Sequence, residues 1–342
     1  METTTFDYEY SIDPYTPVSP CNRDSDNLLG SHLSYVLYFM FLFSLGGNVL
    51  VLVIIHRFEK LTTVTNILLL NLVLSSLIFV SSLPFMGAYL QLSRWIFGTA
   101  MCKIVGSAYY LGFYSSVLFL TLLTFDRHLA VVYSLSGSRL RNQRYAVISC
   151  AVVWLVSILS CIKQMFIHSA YVHNLNNVTY CDEYPGDLSP ENSRKLKESG
   201  FYLQIFLFLL FPLAVIIYCY VRIAITVISS RLATKFKTVR LIFIIVLLFF
   251  VCWTPFNIAL LMQDKALECE ESKKWSYALH VTRIFAYTYF CISPIFYTFV
   301  GRKFQNYFRL MLVKRFPRLK RYISVSQHSN TNASTKTTPN DI

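Results

Sequence analysis

Residues 102–128 read CKIVGSAYYLGFYSSVLFLTLLTFDRH, an apolar run that opens with a cysteine and closes with the acid–arginine pair Asp126 and Arg127. No charged residue lies between Lys103 and Asp126. At about 1.5 Å per residue, an α-helix of this length crosses the roughly 30 Å hydrocarbon core of a bilayer with some tilt. The stretch therefore predicts a membrane-spanning helix whose cysteine end lies in an oxidising exterior and whose acid–arginine end lies at the cytoplasmic surface.

Six further apolar stretches argue against the alternative, a buried helix of a large soluble protein. The chain has 342 residues, 55% of them hydrophobic, and its mean hydropathy is +0.48. As a helix, each stretch can satisfy its backbone polar groups internally within a bilayer. The predicted spans are 31–56, 65–90, 103–126, 145–168, 201–228, 238–262 and 276–300. The predicted fold is an all-α membrane protein, a seven-transmembrane helix bundle with a short amphipathic eighth helix.

This pattern divides the chain into four parts. The predicted parts are an extracellular acidic tail (1–30), the bundle (31–300), an amphipathic helix (301–312) and a cytoplasmic tail (313–342). The amphipathic helix is basic and studded with aromatic residues, so we expect it to lie along the inner lipid surface. The first thirty residues carry no cleavable signal pattern, and the first span is expected to act as an uncleaved signal anchor.

The distribution of charge sets the orientation. With the N-terminus outside, 20 of the 31 Lys and Arg residues fall in inner segments, and 15 of the 18 acidic residues fall in outer ones. The inner side is then +17 and the outer side −6, within a net charge of +13. The excess of positive charge inside favours this topology over its inverse. The basic residues therefore face anionic lipid rather than nucleic acid, and the acidic exterior suits a basic partner.

Nine cysteines fall into two groups. Five lie inside predicted spans and are expected to behave as small apolar side chains: Cys150, Cys161, Cys219, Cys252 and Cys291. The other four each lie in a different outer segment: Cys21, Cys102, Cys181 and Cys269. Four cysteines allow three pairings, and an oxidising exterior favours two disulfide bonds over four free thiols.

The outer segments carry two candidate modification sites. Tyrosines and acidic residues alternate near the N-terminus, at Asp7, Tyr8, Glu9, Tyr10 and Tyr15. They form either a solvated acidic tail or a docking strand whose tyrosines are sulfated and bind a cationic ligand. The sequence Asn177-Val178-Thr179 is an acceptor for N-glycosylation, which agrees with an outer position.

The sequence contains no catalytic constellation. Asp126 is the only carboxylate that ends a span beside a basic residue, and no nucleophile is paired with it. The seven histidines form no metal-ligand cluster. We therefore expect a protein that is not an enzyme and has no cofactor or metal. A transporter would need paired broken helices and ionisable residues at the midplane, whereas Lys163 and Arg283 both lie toward the outer side.

The spans carry a set of motifs that resembles the rhodopsin class of G-protein-coupled receptors, over about residues 31–312. The motifs are Gly47-Asn48, Asp126-Arg127-His128, Trp154, Pro212, Cys252-Trp253-Thr254-Pro255 and Ser293-Pro294-Ile295-Phe296-Tyr297. Within that class, the four outer cysteines, the acidic tyrosine-bearing tail and Ser82-Leu83-Pro84 resemble the chemokine receptors. Phe58-Glu59-Lys60-Leu61, Thr238-Val239-Arg240 and Arg283 are most similar to the XC (lymphotactin) type.

The resemblance implies roles for individual residues. Cys102 and Cys181 would form one disulfide bond, and Cys21 and Cys269 the other. Coupling to a G protein would involve Asp126, Arg127, Tyr220 and Tyr297, with Arg127 held by Asp126 at rest. The activation switch would comprise Trp253, Pro255 and Pro294. The ligand would contact the acidic tail (Asp7, Tyr8, Glu9, Tyr10 and Tyr15) and a pocket that includes Tyr109, Gln263 and Arg283.

Two serines depart from the family pattern at a buried sodium site that a third serine, Ser116, also lines. Ser76 stands where aspartate is usual and Ser293 where asparagine or aspartate is usual, and Ser116 completes the site. A monovalent cation in an apolar interior needs a carboxylate, so we expect no sodium binding there. Met86, Arg283 and His128 also differ from the usual residues.

The resemblance thus implies a plasma-membrane receptor with its N-terminus outside. Its expected partners are a chemokine of the XC or CC type, a heterotrimeric G protein of the Gi type, receptor kinases, arrestin and membrane lipid. Calcium signalling and chemotaxis would follow. The alternative is a non-signalling scavenger of chemokine, which His128 and the altered serines would favour.

Overall fold

The protein is described by a computed structural model that covers residues 24–58, 63–133, 141–173, 177–183, 190–230, 236–265, 269–295 and 302–316. Ten α-helices lie in these ranges: α1 (Asp24–Phe58), α2 (Val64–Ser81), α3 (Leu83–Leu92), α4 (Gly98–Val132), α5 (Gln143–Ile167), α6 (Pro190–Ile205), α7 (Phe211–Ser230), α8 (Phe236–Lys265), α9 (Cys269–Ile295) and α10 (Arg302–Arg315). A π-helical segment (Phe206–Leu210) joins α6 to α7, and strands β1 (His168–His173) and β2 (Val178–Glu183) follow α5.

Long apolar helices account for the predicted spans. Six segments are long and apolar enough to cross a bilayer: 30–57, 64–92, 98–132, 143–167, 198–229 and 246–263. Helix α9 matches the seventh span and is 27 residues long, but it begins among charged residues at Cys269. The predicted fold class, a bundle of membrane-spanning helices, is therefore confirmed, and several of the helices run beyond the predicted limits of the spans.

Helix α4, which contains the stretch quoted first, lies at the centre of the bundle. It contacts α2, α5 and α7 as well as both strands. Glycine permits its closest approach, because a Cβ atom added at Gly112 would lie 2.6 Å from the Cα atom of Phe79 on α2. A small residue at such a crossing lets two helix backbones come together within a membrane. Helix α4 is thus the central helix against which α2, α5 and α7 pack.

Two spans are interrupted beside a proline. Helix α2 ends at Ser81 and α3 begins at Leu83, immediately before Pro84. The π-helical segment Phe206–Leu210 ends two residues before Pro212. Proline has no backbone N–H to donate and its ring crowds the preceding turn, so kinks and π-bulges collect beside it.

The long outer segment forms a β-hairpin, which the all-α prediction did not include. Strands β1 and β2 pair antiparallel, with His168 opposite Glu183 and Ala170 opposite Cys181. The strands are rich in aromatic and β-branched residues, and the rings of the facing pair Tyr171 and Tyr180 lie 6.3 Å apart. Cross-strand pairs of this kind stabilise a hairpin. The hairpin lies at the outer end of α4, where it covers one side of the bundle.

The ends of the bundle also differ from the predicted limits. Helix α1 begins at Asp24, inside the segment that was assigned to the tail, and α10 continues to Arg315. Helix α10 contacts α1, as expected for a helix that follows the last span. The four-part division of the chain remains a prediction.

Candidate functional site

The outer end of α4 is bonded to the hairpin. A disulfide bond joins Cys102 on α4 to Cys181 on β2, with Cα atoms 5.7 Å apart. The backbone N–H of Trp95 donates to the carbonyl of Thr179 on the same strand at 2.8 Å. The Trp95 indole is buried against Cys102 and Val105. The pairing that the resemblance implies is thus present, and it fixes the hairpin over the bundle.

A second set of contacts holds the base of the hairpin. The imidazole of His168 lies against Gly106 of α4, where an added Cβ atom would be 2.6 Å from the His168 Cδ2 atom. Lys163 of α5 forms a half-buried ion pair with Glu183 of β2 at 3.2 Å. Burial lowers the pKa of His168, and the neighbouring carboxylates of Glu183 and Asp182 oppose that shift.

Aromatic rings pack between α4 and α9 near the base of the hairpin. Tyr109 of α4 and Tyr287 of α9 lie with their ring centroids 5.8 Å apart and hydrogen-bond through their side chains. Arg283, one turn before Tyr287, lies within electrostatic range of both hydroxyl groups. Gln263 is half-buried near the outer end of α8. Of the pocket residues that the resemblance implies, the structure thus brings Tyr109 and Arg283 together.

Trp253 lies deeper in the bundle, in an aromatic cluster that joins four helices. Its indole is 1% exposed and stacks on Phe113 of α4 with centroids 4.1 Å apart. Phe79 of α2, Phe249 of α8 and Phe290 of α9 lie at 6.3, 6.0 and 6.2 Å from it. A rearrangement of Trp253 would therefore change its packing against α2, α4 and α9 together.

Pro255 lies two residues after Trp253, inside helix α8. It lines an apolar groove of about 550 Å³ between α8 and α9, together with Trp275 and Thr282. A proline in a helix interior removes one backbone hydrogen bond and provides a bending point. Pro294 lies within α9, and its side chain is outside the part of the chain that the structure describes.

The serines of the altered sodium site make no polar link between helices in the described part of the chain. Ser76 donates to the carbonyl of Leu72 on its own helix at 3.1 Å. Asn48 of α1 likewise donates to the carbonyl of Ser44 at 2.9 Å. The hydroxyl of Ser116 is buried and finds no hydrogen-bond partner among the described residues. The Ser293 side chain lies outside them.

A buried carboxylate lies instead at the inner end of α4. Asp126 is completely buried, and Arg141, just before α5, donates to both of its oxygens, Nε to Oδ1 at 2.7 Å and Nη2 to Oδ2 at 3.0 Å. Thr65 of α2 donates to Oδ2 at 3.2 Å. The Nη2 atom of Arg127 is 3.9 Å from Oδ2 and donates to the hydroxyl of Thr65.

The resemblance implied that Asp126 holds Arg127. In the structure Asp126 pairs mainly with Arg141, and the hydrogen bond of Arg127 goes to Thr65. Arg141 and Thr65 are functional candidates that the sequence analysis missed. The only sequence signal for Arg141 was the basic composition of the segment that contains Arg139, Arg141 and Arg144. A buried carboxylate requires hydrogen-bonded partners, and that requirement selects Arg141 only once the fold is known.

Tyr220 of α7 faces the same inner region. Its side chain hydrogen-bonds with that of Thr124 on α4, and its ring lies 5.0 Å from Phe243 of α8. Tyr220 therefore connects α4, α7 and α8 near the inner end of the bundle. Its partner Thr124 lies two residues before Asp126 on α4. Tyr297, its expected companion, lies outside the described residues.

Several other predicted site residues also lie outside the described part of the chain. These are the tail residues Asp7, Tyr8, Glu9, Tyr10 and Tyr15, together with Cys21. Cys269 begins helix α9, but its side chain is not described, so the second disulfide bond remains a prediction. Asn177 is exposed at the turn before β2 with a φ of 57°. That position is accessible to a glycosylating enzyme.

Comparison with known proteins agrees with this architecture. Residues 47–297 match the family described as 7 transmembrane receptor (rhodopsin family). The chain is 36% identical over 316 residues to C-C chemokine receptor type 3 of Cavia porcellus, covering 91% of this chain and 85% of that receptor. It is 35% identical over 327 residues to C-C chemokine receptor type 1 of Homo sapiens, covering 92% and 90%. It is 35% identical over 329 residues to human C-C chemokine receptor type 8, covering 94% and 89%.

The chain belongs to the rhodopsin family of seven-transmembrane receptors. It is a multi-pass protein of the plasma membrane and not an enzyme, as the sequence analysis expected. These three relatives are named as C-C chemokine receptors. None of the three carries the name of an XC receptor, so the finer resemblance to the XC type stays a prediction.

Proposed function

We propose that this protein is a chemokine receptor that activates a heterotrimeric G protein. The observation that carries the proposal is the arrangement of α4, which bears a disulfide-bonded outer end at Cys102 and a buried acid–arginine network at Asp126 and Arg127. Those ends are separated by about 36 Å at the helical rise of 1.5 Å per residue. A ligand on one side and a G protein on the other can therefore bias the same bundle.

The ligand is a small basic protein. The outer segments carry a charge of −6, and sulfation of Tyr8, Tyr10 or Tyr15 would increase it. Complementary charge speeds the encounter of two proteins and helps to choose the partner. The acidic tail then binds the body of the chemokine, and the outer side of the bundle near Tyr109 and Tyr287 binds its flexible end.

An XC-type chemokine is the favoured ligand, with the CC type as the other candidate. Arg283 places a cation within electrostatic range of Tyr109 and Tyr287. A cation there favours a ligand end that carries a carboxylate or hydroxyl group and disfavours one whose first residues are basic. Identity of about 35% to C-C receptors supports a chemokine and leaves the type to be measured.

Activation proceeds through the aromatic cluster around Trp253. Ligand contact at Tyr109 and Tyr287 is passed to Phe79, whose ring lies 5.2 and 5.1 Å from theirs, and from Phe79 to Trp253. Helix α8 then swings about Pro255 and opens the inner face at Arg127. Such a swing is a two-state element that both ligand and G protein can bias.

Gi coupling with calcium release and chemotaxis is the proposed output, followed by tail phosphorylation and arrestin recruitment. The three relatives bear the names of chemokine receptors, which gives no support to the alternative of a non-signalling scavenger. The retention of Asp126 and Arg127 at a buried inner site also favours signalling.

A panel experiment tests the proposal. Cells that express the receptor are exposed to purified XC, CC and CXC chemokines, and both radioligand binding and calcium release are measured. We expect one XC-type chemokine to bind and to trigger calcium release that pertussis toxin blocks. Binding without calcium release would favour the scavenger, and the absence of binding to any chemokine would overturn the proposal.

A further inference from the structure

The carboxylate of Asp126 is the shared partner of two arginines that approach it differently. Arg141 makes a two-point contact, with Nε 2.7 Å from Oδ1 and Nη2 3.0 Å from Oδ2. Arg127, the next residue along α4, has its nearest nitrogen 3.9 Å from Oδ2. Two-point contacts between arginine and a carboxylate are the strongest ion pairs of this kind, because each donor is matched to one oxygen. Arg141 is therefore the principal partner.

Thr65 completes the arrangement from the neighbouring helix α2. Its hydroxyl donates to Oδ2 of Asp126 at 3.2 Å and accepts from Nη2 of Arg127. Arg127 is thus attached to the carboxylate through a hydroxyl group rather than directly. The Nε atom of Arg127 is buried and has no hydrogen-bond partner in the described ranges. Its guanidinium is consequently the more loosely held of the two.

We infer that Arg141 is a positioning residue that occupies the Asp126 carboxylate and so keeps Arg127 available to the G protein. The coupling role of Arg127 in this inference rests on the proposed function. Asp126 is 0% exposed, and a buried carboxylate that loses one cation draws in the nearest remaining one. That cation is Arg127, which needs to move by only about an ångström to pair directly with Oδ2.

Removal of the Arg141 guanidinium should lower nucleotide exchange on the G protein. In an Arg141→Gln receptor, Arg127 pairs with Asp126 and is held at rest. Agonist-independent and agonist-stimulated nucleotide exchange both fall several-fold at equal receptor number, while chemokine affinity measured without G protein is unchanged. Arg141→Lys keeps the charge but not the two-point contact, so its exchange rate lies between those of the parent and Arg141→Gln.

A thermodynamic cycle tests the inference without using signalling. The coupling between Asp126→Asn and Arg127→Gln is measured from thermal unfolding of purified receptor, once in the parent and once with Arg141→Gln. The cycle should show weak coupling in the parent and clearly stronger coupling when Arg141 is removed. Equal coupling in the two backgrounds would overturn the inference. If Arg141→Gln does not fold, Arg141→Lys replaces it, with a smaller increase expected.

Arg144→Gln is the matched control. Arg144 lies three residues further on and is exposed, so its removal changes the local charge equally without touching Asp126. In the Arg144→Gln receptor, the coupling between Asp126→Asn and Arg127→Gln and the nucleotide exchange rate should both equal those of the parent. A parent that fails to activate any G protein would defeat the proposed function, and the cycle would still decide the role of Arg141. Faster exchange in Arg141→Gln would contradict the role given to Arg141.

Discussion

At the scale of single residues, buried charge is concentrated at one point. Asp126 is the only acidic side chain among the described residues that is fully buried, and it lies at the inner end of α4. The middle of the bundle holds hydroxyl groups instead, at Ser76 and Ser116. A hydroxyl group contributes a dipole but no net charge, which is too little to hold a dehydrated cation in an apolar interior.

Ligand affinity should therefore be insensitive to sodium. Sodium shifts a receptor toward rest only if it binds the resting state better, and the serines at 76, 116 and 293 leave it no carboxylate. Chemokine binding is measured in sodium chloride and in N-methylglucamine chloride at equal ionic strength. We expect the same affinity in both salts.

The double change Ser76→Asp with Ser293→Asn supplies the comparison. The carboxylate and the amide together restore the residue types usual in the family, and binding in this variant should become sodium-dependent. Ser76→Asp alone is a poorer test, because it buries a charge with few partners. A specific sodium effect in the parent receptor would disprove the prediction.

The role of a residue could be predicted from the sequence where a family motif contains it. A contact could not be predicted where only the folded structure brings the two residues together. The bond between Cys102 and Cys181 follows from the family pattern. The pairing of Asp126 with Arg141 does not, since it joins residues 15 positions apart through a segment with no regular sequence signal. The aromatic cluster around Trp253 likewise depends on the packing of four helices.

At the scale of elements, α4 and α2 approach closely at one glycine. A Cβ atom at Gly112 would lie 2.6 Å from the Cα atom of Phe79, which is a backbone atom of α2. Phe79 is 0% exposed and stacks on Phe290 with centroids 3.9 Å apart, so it has no free space to move into. The crossing of the two helices is consequently intolerant of any larger residue.

Gly112→Ala should therefore lower the thermal stability of the receptor. Overpacking of this kind costs roughly 1–3 kcal/mol. Gly46→Ala is the matched control, because Gly46 lies within α1 and an added Cβ atom would meet nothing within 4 Å. Alanine is a better helix former, and that variant should be unchanged or more stable by up to about 1 kcal/mol. Unfolding in detergent is followed for both, and equal midpoints would contradict the close approach.

Elements were predictable where hydropathy alone decides them. A span needs about 20 apolar residues, and that signal survives without knowledge of neighbours. The hairpin from His168 to Glu183 gives no such signal, since its alternation is short and its stability depends on Cys181 and on the contact of His168 with Gly106. The start of α9 at Cys269 was missed because its first turns carry Glu270 and Glu271, which hydropathy excludes from a span.

At the scale of the whole molecule, charge is separated across the membrane. The outer segments carry −6 and the inner segments +17. The outer charge should steer a basic chemokine, so association should slow as salt rises. Joint replacement of Asp7, Glu9 and Asp13 by neutral amides should reduce the association rate more than it raises the dissociation rate, measured by surface plasmon resonance on receptor in nanodiscs. An association rate independent of salt would exclude the tail as the docking site.

The cytoplasmic tail should become the arrestin site after activation. Its serines and threonines beyond Tyr322 should be kinase targets after activation, and phosphates beside Arg318, Lys320 and Arg321 would change a basic segment into one that binds arrestin. Truncation after Tyr322 should abolish arrestin recruitment in an energy-transfer assay and leave calcium release intact. Recruitment that survives truncation would contradict this assignment.

The most direct test of the account is chemokine-stimulated nucleotide exchange on purified Gi protein, compared between the parent receptor and Arg127→Ala. Arg127 lies at the cytoplasmic end of α4, far from the bonded outer end at Cys102, so the variant should bind chemokine within a few-fold of the parent. Its exchange should fall to the rate seen without receptor. Exchange that persists in Arg127→Ala while the variant binds chemokine normally would contradict the role of Arg127 in coupling to the G protein.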